Sequence, residues 1–250
     1  TVNMTILQAG WQDAELKITD FPVQYDDTYY FTFNVARQIQ VLVINEAEPN
    51  KYLDAAFAGV SYFQVTTQSA RNISYATLPN YQLIILNGLR QVSTGLGSEL
   101  QQYVSNGGNV LVFPGASANL ASYNGFLTEM KANEQERFEV TERSVADINT
   151  EEFIFNDVFE NQRANLKLPV TQANFKLSNY GSRGEERLLI YRDGNSYLGK
   201  YRLERGHLYL CAAPLEESYN NLARSGEIFI PMLYKMAIST AKDQRIAYTI

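Results

Sequence analysis

The feature of this sequence that most constrains its fold is a series of four short, strand-like segments in the first half of the chain, most of them strongly apolar. They read QVLVINEAE (40–48), SYFQVTTQS (61–69), YQLIILNGL (81–89) and NVLVFPGA (109–116). Apolar runs of this length are typical of strands that are buried on both faces of a parallel sheet. The series therefore predicts four neighbouring strands of such a sheet.

Helical segments separate these strands. Residues 50–59 (NKYLDAAFAG) follow Pro49 and stop at Gly59, and residues 95–108 (GLGSELQQYVSNGG) carry an apolar stripe and end in a glycine pair. Strand–helix–strand units of this spacing are right-handed and build a doubly wound sheet. We therefore predict an α/β fold with an open, doubly wound sheet of the flavodoxin-like type.

The second half of the chain is richer in strand signals. Residues 166–177, 187–194, 196–206 and 207–215 read as strands separated by turns. Arg192-Asp193-Gly194-Asn195 predicts a tight hairpin. Residues 227–240 (EIFIPMLYKMAIST) predict a closing helix, whose buried stripe is Ile230, Leu233, Met236 and Ala237.

Both ends of the chain also read as strands, over residues 2–7 and 245–250, and the first residue is Thr1. We expect a piece of a longer protein with three parts. Residues 1–37 form a short β segment that ends a β-sandwich or adds to a sheet edge, residues 38–242 form the α/β domain, and residues 243–250 form a strand-like tail into a missing segment.

Composition excludes several classes of function. The chain has 250 residues, a net charge of −6 and a pI near 5.0, and no cluster of Lys and Arg is long enough to follow a phosphate backbone. Nucleic acid is therefore not expected as a partner. Cys211 is the only cysteine, so neither an internal disulfide nor a cysteine-based zinc site can form. No apolar run approaches the roughly 18–20 residues of a membrane span.

The apolar strand with its polar-Gly end, the following helix and the segment GGNVLVFPG resemble the class I glutamine amidotransferase superfamily. The segments KYRLERGHLYLCAAPLEESYNNLARSGEIFIPMLYKM (200–236) and DFPVQYDDTYYFTFNV (20–35) resemble the amidotransferase-like domains of Bat-type aerotolerance-operon membrane proteins. This resemblance implies membrane anchoring through segments outside the chain and a soluble part at the periplasmic face of the envelope. It implies other envelope proteins as partners and no known substrate.

The chain lacks the chemical groups of an active amidotransferase. Such an enzyme carries a cysteine on a strand-to-helix elbow and a histidine as its base. Here the corresponding stretch runs from Phe113 to Ser117 without a cysteine, and the single histidine, His207, lies at the start of its strand rather than near its end. We predict no catalytic residue, no cofactor and no metal site. An atypical hydrolase or transferase that uses Ser117 is the alternative.

The carboxyl ends of the parallel strands define the only crevice that the sequence locates, because ligands of open α/β sheets bind there. The candidate ligand-binding residues are Asn45, Glu46, Asn87, Gly88, Gly115, Ala116 and Ser117. The alternative is that the asparagines cap helices or tie loops together. A carbohydrate or another small ligand at this edge is a further possibility for the function.

Two other groups of residues are weaker candidates. Cys211 and His207 lie four apart on one strand, about 13 Å along it, too far for a dyad, and Cys211 is expected to be a buried, inert thiol. The pairs Glu46–Glu48 and Glu216–Glu217 are not dyads by themselves, although Glu216 could meet Glu46. The sequence therefore favours a non-catalytic interaction or binding domain.

Overall fold

The described part of the chain contains thirteen strands and four α-helices, in a computed structural model. It comprises residues 10–17, 28–35, 38–156, 158–159, 166–178 and 184–240. The strands are β1 (Gly10–Lys17), β2 (Thr28–Val35), β3 (Ile39–Asn45), β4 (Phe63–Ser69), β5 (Leu83–Asn87), β6 (Asn109–Phe113), β7 (Gln135–Glu139), β8 (Arg143–Ile148), β9 (Val170–Thr171), β10 (Asn174–Leu177), β11 (Glu185–Tyr191), β12 (Ser196–Leu203) and β13 (Gly206–Cys211). The α-helices are α1 (Lys51–Ala58), α2 (Thr94–Ser105), α3 (Leu120–Glu129) and α4 (Gly226–Ile238), and two short 3-10 helices span Tyr75–Asn80 and Leu222–Arg224.

Nine of these strands form one mixed sheet in the order β4-β3-β5-β6-β13-β12-β11-β8-β9. The five strands from β4 to β13 pair in parallel, and the pairs from β13 to β9 are antiparallel. Numbered along the chain, the parallel strands lie in the order 2-1-3-4-5. The four strands predicted in the first half of the chain are thus confirmed as parallel neighbours, and the α/β class is confirmed. The antiparallel extension of the same sheet was not predicted.

The helices form where capping residues and apolar stripes coincide. The Asn50 side chain accepts hydrogen bonds from the first backbone amides of α1, and Ser93 caps α2 in the same way. In α4 the predicted residues Leu233, Met236 and Ala237 are buried, but the prediction for Ile230 was wrong because its side chain is 37% exposed. The buried face of α4 also contains Ile228, Phe229 and Met232.

Both faces of the parallel half are covered. All five residues of β6 are buried although consecutive side chains of a strand point to opposite faces. On α4, the Tyr234 hydroxyl donates to the Ala56 carbonyl of α1 at 2.6 Å. The side-chain Nδ2 of Asn109, at the start of β6, donates to the Met236 carbonyl at 2.8 Å. These bonds hold α4 over the parallel strands.

Antiparallel strand pairs dominate the other described residues. β11 and β12 are joined at the predicted turn, where Gly194 has φ +83° and the Asp193 carboxylate accepts from the Asn195 amide at 3.0 Å. β7 pairs with β10, and β1 pairs with β2, both antiparallel. The predicted strands at 2–7 and 245–250 lie outside the described residues. The assignment of residues 1–37 to a sandwich domain, of 38–242 to one domain and of 243–250 to a tail stays a prediction.

Candidate functional site

The two asparagines at the switch point of the sheet are bonded to each other. β3 and β5 leave the point where the strand order reverses, and the Asn87 amide nitrogen donates to Asn45 Oδ1 at 2.7 Å. Asn45 is 2% exposed, and its Nδ2 has no hydrogen-bond partner among the described residues. The structure thus brings these two predicted residues together, in a bond that ties the strand ends.

Glu46 ties a neighbouring loop. Its carboxylate accepts from the Arg90 backbone amide at 2.9 Å, and its own amide donates to the Asn87 carbonyl at 3.3 Å. The side chain is half-buried. Glu46 therefore fixes the loop that follows β5, a role that had been considered for Asn45 and Asn87 and not for Glu46.

Gly88 and Gly115 make the close contact between the loops after β5 and β6. Gly88 has φ +70°, and its amide donates to the Phe113 carbonyl at 2.9 Å. A Cβ on Gly115 would lie 2.5 Å from the Gly88 carbonyl oxygen and 3.0 Å from the Leu89 carbonyl oxygen. Only a glycine lets the two loops approach so closely, because backbone atoms cannot move aside as a side chain can.

Ser117 lies on the outside of this edge. Its side chain is exposed, Ala116 beside it is half-buried, and Ser117 makes no side-chain hydrogen bond or ion pair with any residue that the structure describes. A serine nucleophile needs a base within hydrogen-bond reach. The arrangement gives no support to a hydrolase that uses Ser117.

Cys211 and His207 occupy opposite ends of β13, as the sequence indicated. Burial raises the pKa of the Cys211 thiol to about 12. Burial, together with the positive charges of Lys200 and Arg202, lowers the pKa of His207 to about 4. At neutral pH the thiol is therefore in its protonated, unreactive form, and a histidine with so low a pKa is a weak base.

Glu217, one member of the pair Glu216–Glu217, has a structural role. Glu217 forms an ion pair with Lys51 at 2.7 Å and a second one with Arg224. Its hydrogen bond to Lys51, followed by those to Tyr52 and Arg224, lowers the pKa of the Glu217 carboxyl to about 2. Among the described residues, no group of three or more His, Cys, Asp or Glu could hold a metal ion.

A cavity of about 610 Å³ that the sequence did not reveal lies on the antiparallel half of the sheet. Its walls come from three separate parts of the chain: residue Asn133, residues 147–151 at the end of β8 and just after it, and the β11 residues Glu185, Arg187 and Ile190. None of the predicted crevice residues lines it. The run of charged residues at the start of β11, Glu185 to Arg187, was the one signal in the sequence, but a strand that is exposed to solvent gives the same pattern.

Comparisons with known proteins give the fold and no family. No protein-family model matches the sequence, and no curated relative matches it. No helix in the described ranges is long and apolar enough to cross a membrane. The resemblance to Bat-type proteins, the envelope partners and the periplasmic location therefore stay predictions.

Solved structures are similar over most of the chain. A cytoplasmic protein from Salmonella typhimurium aligns with a TM-score of 0.63 and 12% identity, over 81% of this chain and 99% of that chain. A β-galactosidase from Bacillus circulans sp. alkalophilus aligns with a TM-score of 0.55 and 12% identity, over 80% of this chain and 31% of that chain. A putative ThuA-like protein from Bacteroides uniformis aligns with a TM-score of 0.56 and 13% identity, over 90% of this chain and 97% of that chain. At these identities the likeness establishes the fold alone, an α/β fold with a large mixed sheet.

Proposed function

We propose that this chain is a non-catalytic, class I glutamine amidotransferase-like interaction domain of a larger envelope protein. The proposal rests on the edge of the sheet where the parallel strands end, here called the strand-end edge. There the polar side chains of Asn45, Glu46 and Asn87 bond to one another and to loop backbone, and Ser117 has no base among the described residues. A catalytic edge needs a nucleophile and a base in contact.

The strand order supports a flavodoxin-like arrangement of the parallel strands. Parallel strands in the order 2-1-3-4-5 are the arrangement of flavodoxin-like doubly wound sheets. We assign the parallel half to that type, with the antiparallel strands as an addition. The likeness to the ThuA-like protein agrees with this assignment.

A role inside a larger protein has two supports. The similar region makes up 31% of the β-galactosidase chain, so this fold also occurs as one part of a longer protein. The second support is the hairpin β1–β2, which exposes Trp11 by 60% and Tyr30 by 63%. Their register places both on the same face of the hairpin. Large aromatic side chains are enriched at protein interfaces.

The absence of catalysis can be tested directly. The chain and its Ser117→Ala variant would be treated with a serine-reactive fluorophosphonate and assayed for ammonia release from glutamine. We expect neither stoichiometric labelling nor turnover above the buffer rate in either protein. Labelling or turnover that disappears in Ser117→Ala would contradict the proposal.

The interaction role needs the natural full-length protein in its own cells. A photo-crosslinking amino acid at position 30 should give a discrete adduct with another envelope protein, and the same amino acid at position 99, on exposed α2 surface, should not. Recovery of the natural protein as a free cytosolic monomer without an adduct would contradict this role.

A further inference from the structure

The cavity on the antiparallel half has the character of a site for a polar ligand. Its volume of about 610 Å³ lies in the range of roughly 300–1,000 Å³ that is usual for small-molecule sites. Seven of its nine lining residues are polar or charged. Sites for apolar ligands are lined mostly by apolar side chains, so this lining favours a ligand that is charged or rich in hydrogen-bonding groups.

One carboxylate is built into the wall of this cavity. Glu185 has a side chain that is only 7% exposed, and the Tyr201 hydroxyl donates to its Oε1 at 2.9 Å. The strand beside it carries Gly199, where a Cβ would lie 2.7 Å from Glu185 Oε1 and 3.1 Å from the Tyr201 hydroxyl oxygen. The missing side chain at Gly199 is what lets the Glu185 carboxylate lie over β12.

A buried hydroxyl without a partner lies at the same place. Ser196 is 8% exposed, and its Oγ has no hydrogen-bond partner among the described residues. That Oγ lies 3.2 Å from the same Cβ position on Gly199, so it shares this side of β12 with Glu185 and Tyr201. The wall behind Glu185 thus contains one hydroxyl without a hydrogen-bond partner among the described residues.

The charge of the cavity is negative. Asp147, Glu151 and Glu185 contribute three negative charges and Arg187 one positive charge, a sum of −2. Arg187 is already engaged, because its Nε lies 3.2 Å from the Glu185 carboxylate and its Nη1 donates to the Gly194 carbonyl at 2.9 Å. Asp147 and Glu151 form no ion pair with any residue in the described ranges.

The spacing of these carboxylates favours an organic cation over a metal ion. No His, Cys, Asp or Glu group in the described ranges is close enough together to hold a metal. Carboxylates that surround one cavity without converging on a point match a ligand whose positive charges are spread along its length. Ammonium groups form short, charge-assisted hydrogen bonds with carboxylates.

We propose that this cavity binds a small organic cation with more than one amino group, a linear polyamine or a compound of that chemistry. Asp147 and Glu151 take the ammonium groups, and Glu185, held in place by Tyr201 and Arg187, adds negative charge at the wall. The site is separate from the strand-end edge, so its failure would leave the proposed function untouched, and the reverse also holds.

Calorimetric titration of the 250-residue chain with spermidine tests the proposal. We expect saturable binding that weakens at least fivefold when NaCl is raised from 50 to 300 mM, because exposed charge pairs are screened by salt. The double variant Asp147→Asn/Glu151→Gln should bind at least tenfold more weakly. Gly199→Ala, which displaces the Glu185 carboxylate, should bind at least threefold more weakly.

The control is a second double variant, Asp54→Asn/Glu99→Gln, which removes the same charge from exposed positions on α1 and α2. It should bind spermidine within twofold of the unaltered chain. Equal weakening by both double variants would reduce the effect to overall charge and overturn the proposal. No saturable binding of spermidine, or equal binding of the neutral sugar galactose, would also overturn it.

Discussion

In the parallel half of the sheet, β5 and β6 bury nearly every residue, whereas in the antiparallel half β8 and β11 carry exposed residues beside buried ones. The parallel strands are covered on both faces by helices, so their side chains can do little but pack. The antiparallel strands leave one face open to polar side chains. The parallel half, whose strands the sequence pattern predicts, is therefore a packed scaffold. The chemically varied surface lies on the antiparallel half.

The same contrast holds for polar groups. At the ends of the parallel strands, Asn45, Glu46 and Asn87 are bonded to the protein itself. Beside β11, Asp147 and Glu151 face a cavity without an ion pair in the described ranges. A polar group already bonded to its neighbours has little left to offer a ligand, while an unpaired carboxylate at a cavity can gain a partner.

The largest expected effect separates the two halves by stability. Ile85→Ala, at a fully buried position of β5, should lower the free energy of unfolding by about 2–5 kcal/mol, because it removes buried carbon atoms and leaves a void. Ile190→Ala, at a half-buried position of β11, should cost about 1 kcal/mol. Urea denaturation measures both, and equal losses would contradict the contrast.

A pair of glycine substitutions gives the next effect. In Gly115→Ala the new Cβ meets the backbone carbonyl of Gly88 at 2.5 Å, and we expect a loss of about 1–3 kcal/mol in the free energy of unfolding. In Gly199→Ala it meets the end of the Glu185 side chain, which can turn away, so the loss should be smaller. Thermal unfolding measures the loss of stability in each variant. A larger loss for Gly199→Ala would contradict the expectation that the Glu185 side chain can turn away.

Two asparagine substitutions should differ in what they disturb. Asn87→Ala removes the 2.7 Å bond to Asn45 and leaves a buried oxygen without its donor, which should cost about 1–2 kcal/mol of stability and leave spermidine binding unchanged. Asn149→Ala, in the wall of the cavity, should weaken spermidine binding with little loss of stability. Urea denaturation measures the stability of both variants, and calorimetry measures their binding of spermidine. Weaker binding by Asn87→Ala, or a larger loss of stability in Asn149→Ala, would contradict this contrast.

The smallest effect concerns pH. Burial lowers the pKa of His207 to about 4, below its ordinary value near 6.5. The unfolded chain therefore binds a proton at this residue more readily between pH 6.5 and 4, and stability falls as the pH drops through that window. After allowance for the partial exposure of the ring, we expect a loss of about 1 kcal/mol.

His207→Asn isolates this contribution. Its stability should decline less than that of the unaltered chain between pH 6.5 and 4, when both are followed by urea denaturation. Lys200, Glu186 and Arg202 also act on the ring, and they are retained in both proteins. Parallel pH profiles would show that His207 is not responsible.

Sequence patterns were sufficient for the first four parallel strands because their signals are local. Strand-like runs predict the strands, and Pro49, Gly59 and the Gly107–Gly108 pair bound the helices. The contact between Asn45 and Asn87 also followed from the rule that parallel strands end at one edge of the sheet. The burial of Ile230 was predicted wrongly, because a helix that is apolar on most sides has no unique stripe.

The cavity could not be predicted because its walls come from parts of the chain that are distant in sequence. Asn133, Glu151 and Glu185 meet only after β8, β11 and β12 have been placed at the antiparallel side of the sheet. The role of Gly199 likewise depends on its pairing with Arg187 across the strands. Nothing in the local sequence distinguishes these residues from those of an ordinary exposed strand.

We place ligand binding on the antiparallel half of the sheet and not at the ends of the parallel strands. Backbone amide chemical shifts of the ¹⁵N-labelled chain, followed while spermidine is added, distinguish the two places. We expect the largest saturable shifts in residues 147–151 and 185–190, with residues 45–46 and 87–88 unchanged. Shifts concentrated at the strand ends, or no saturable shift at all, would contradict it.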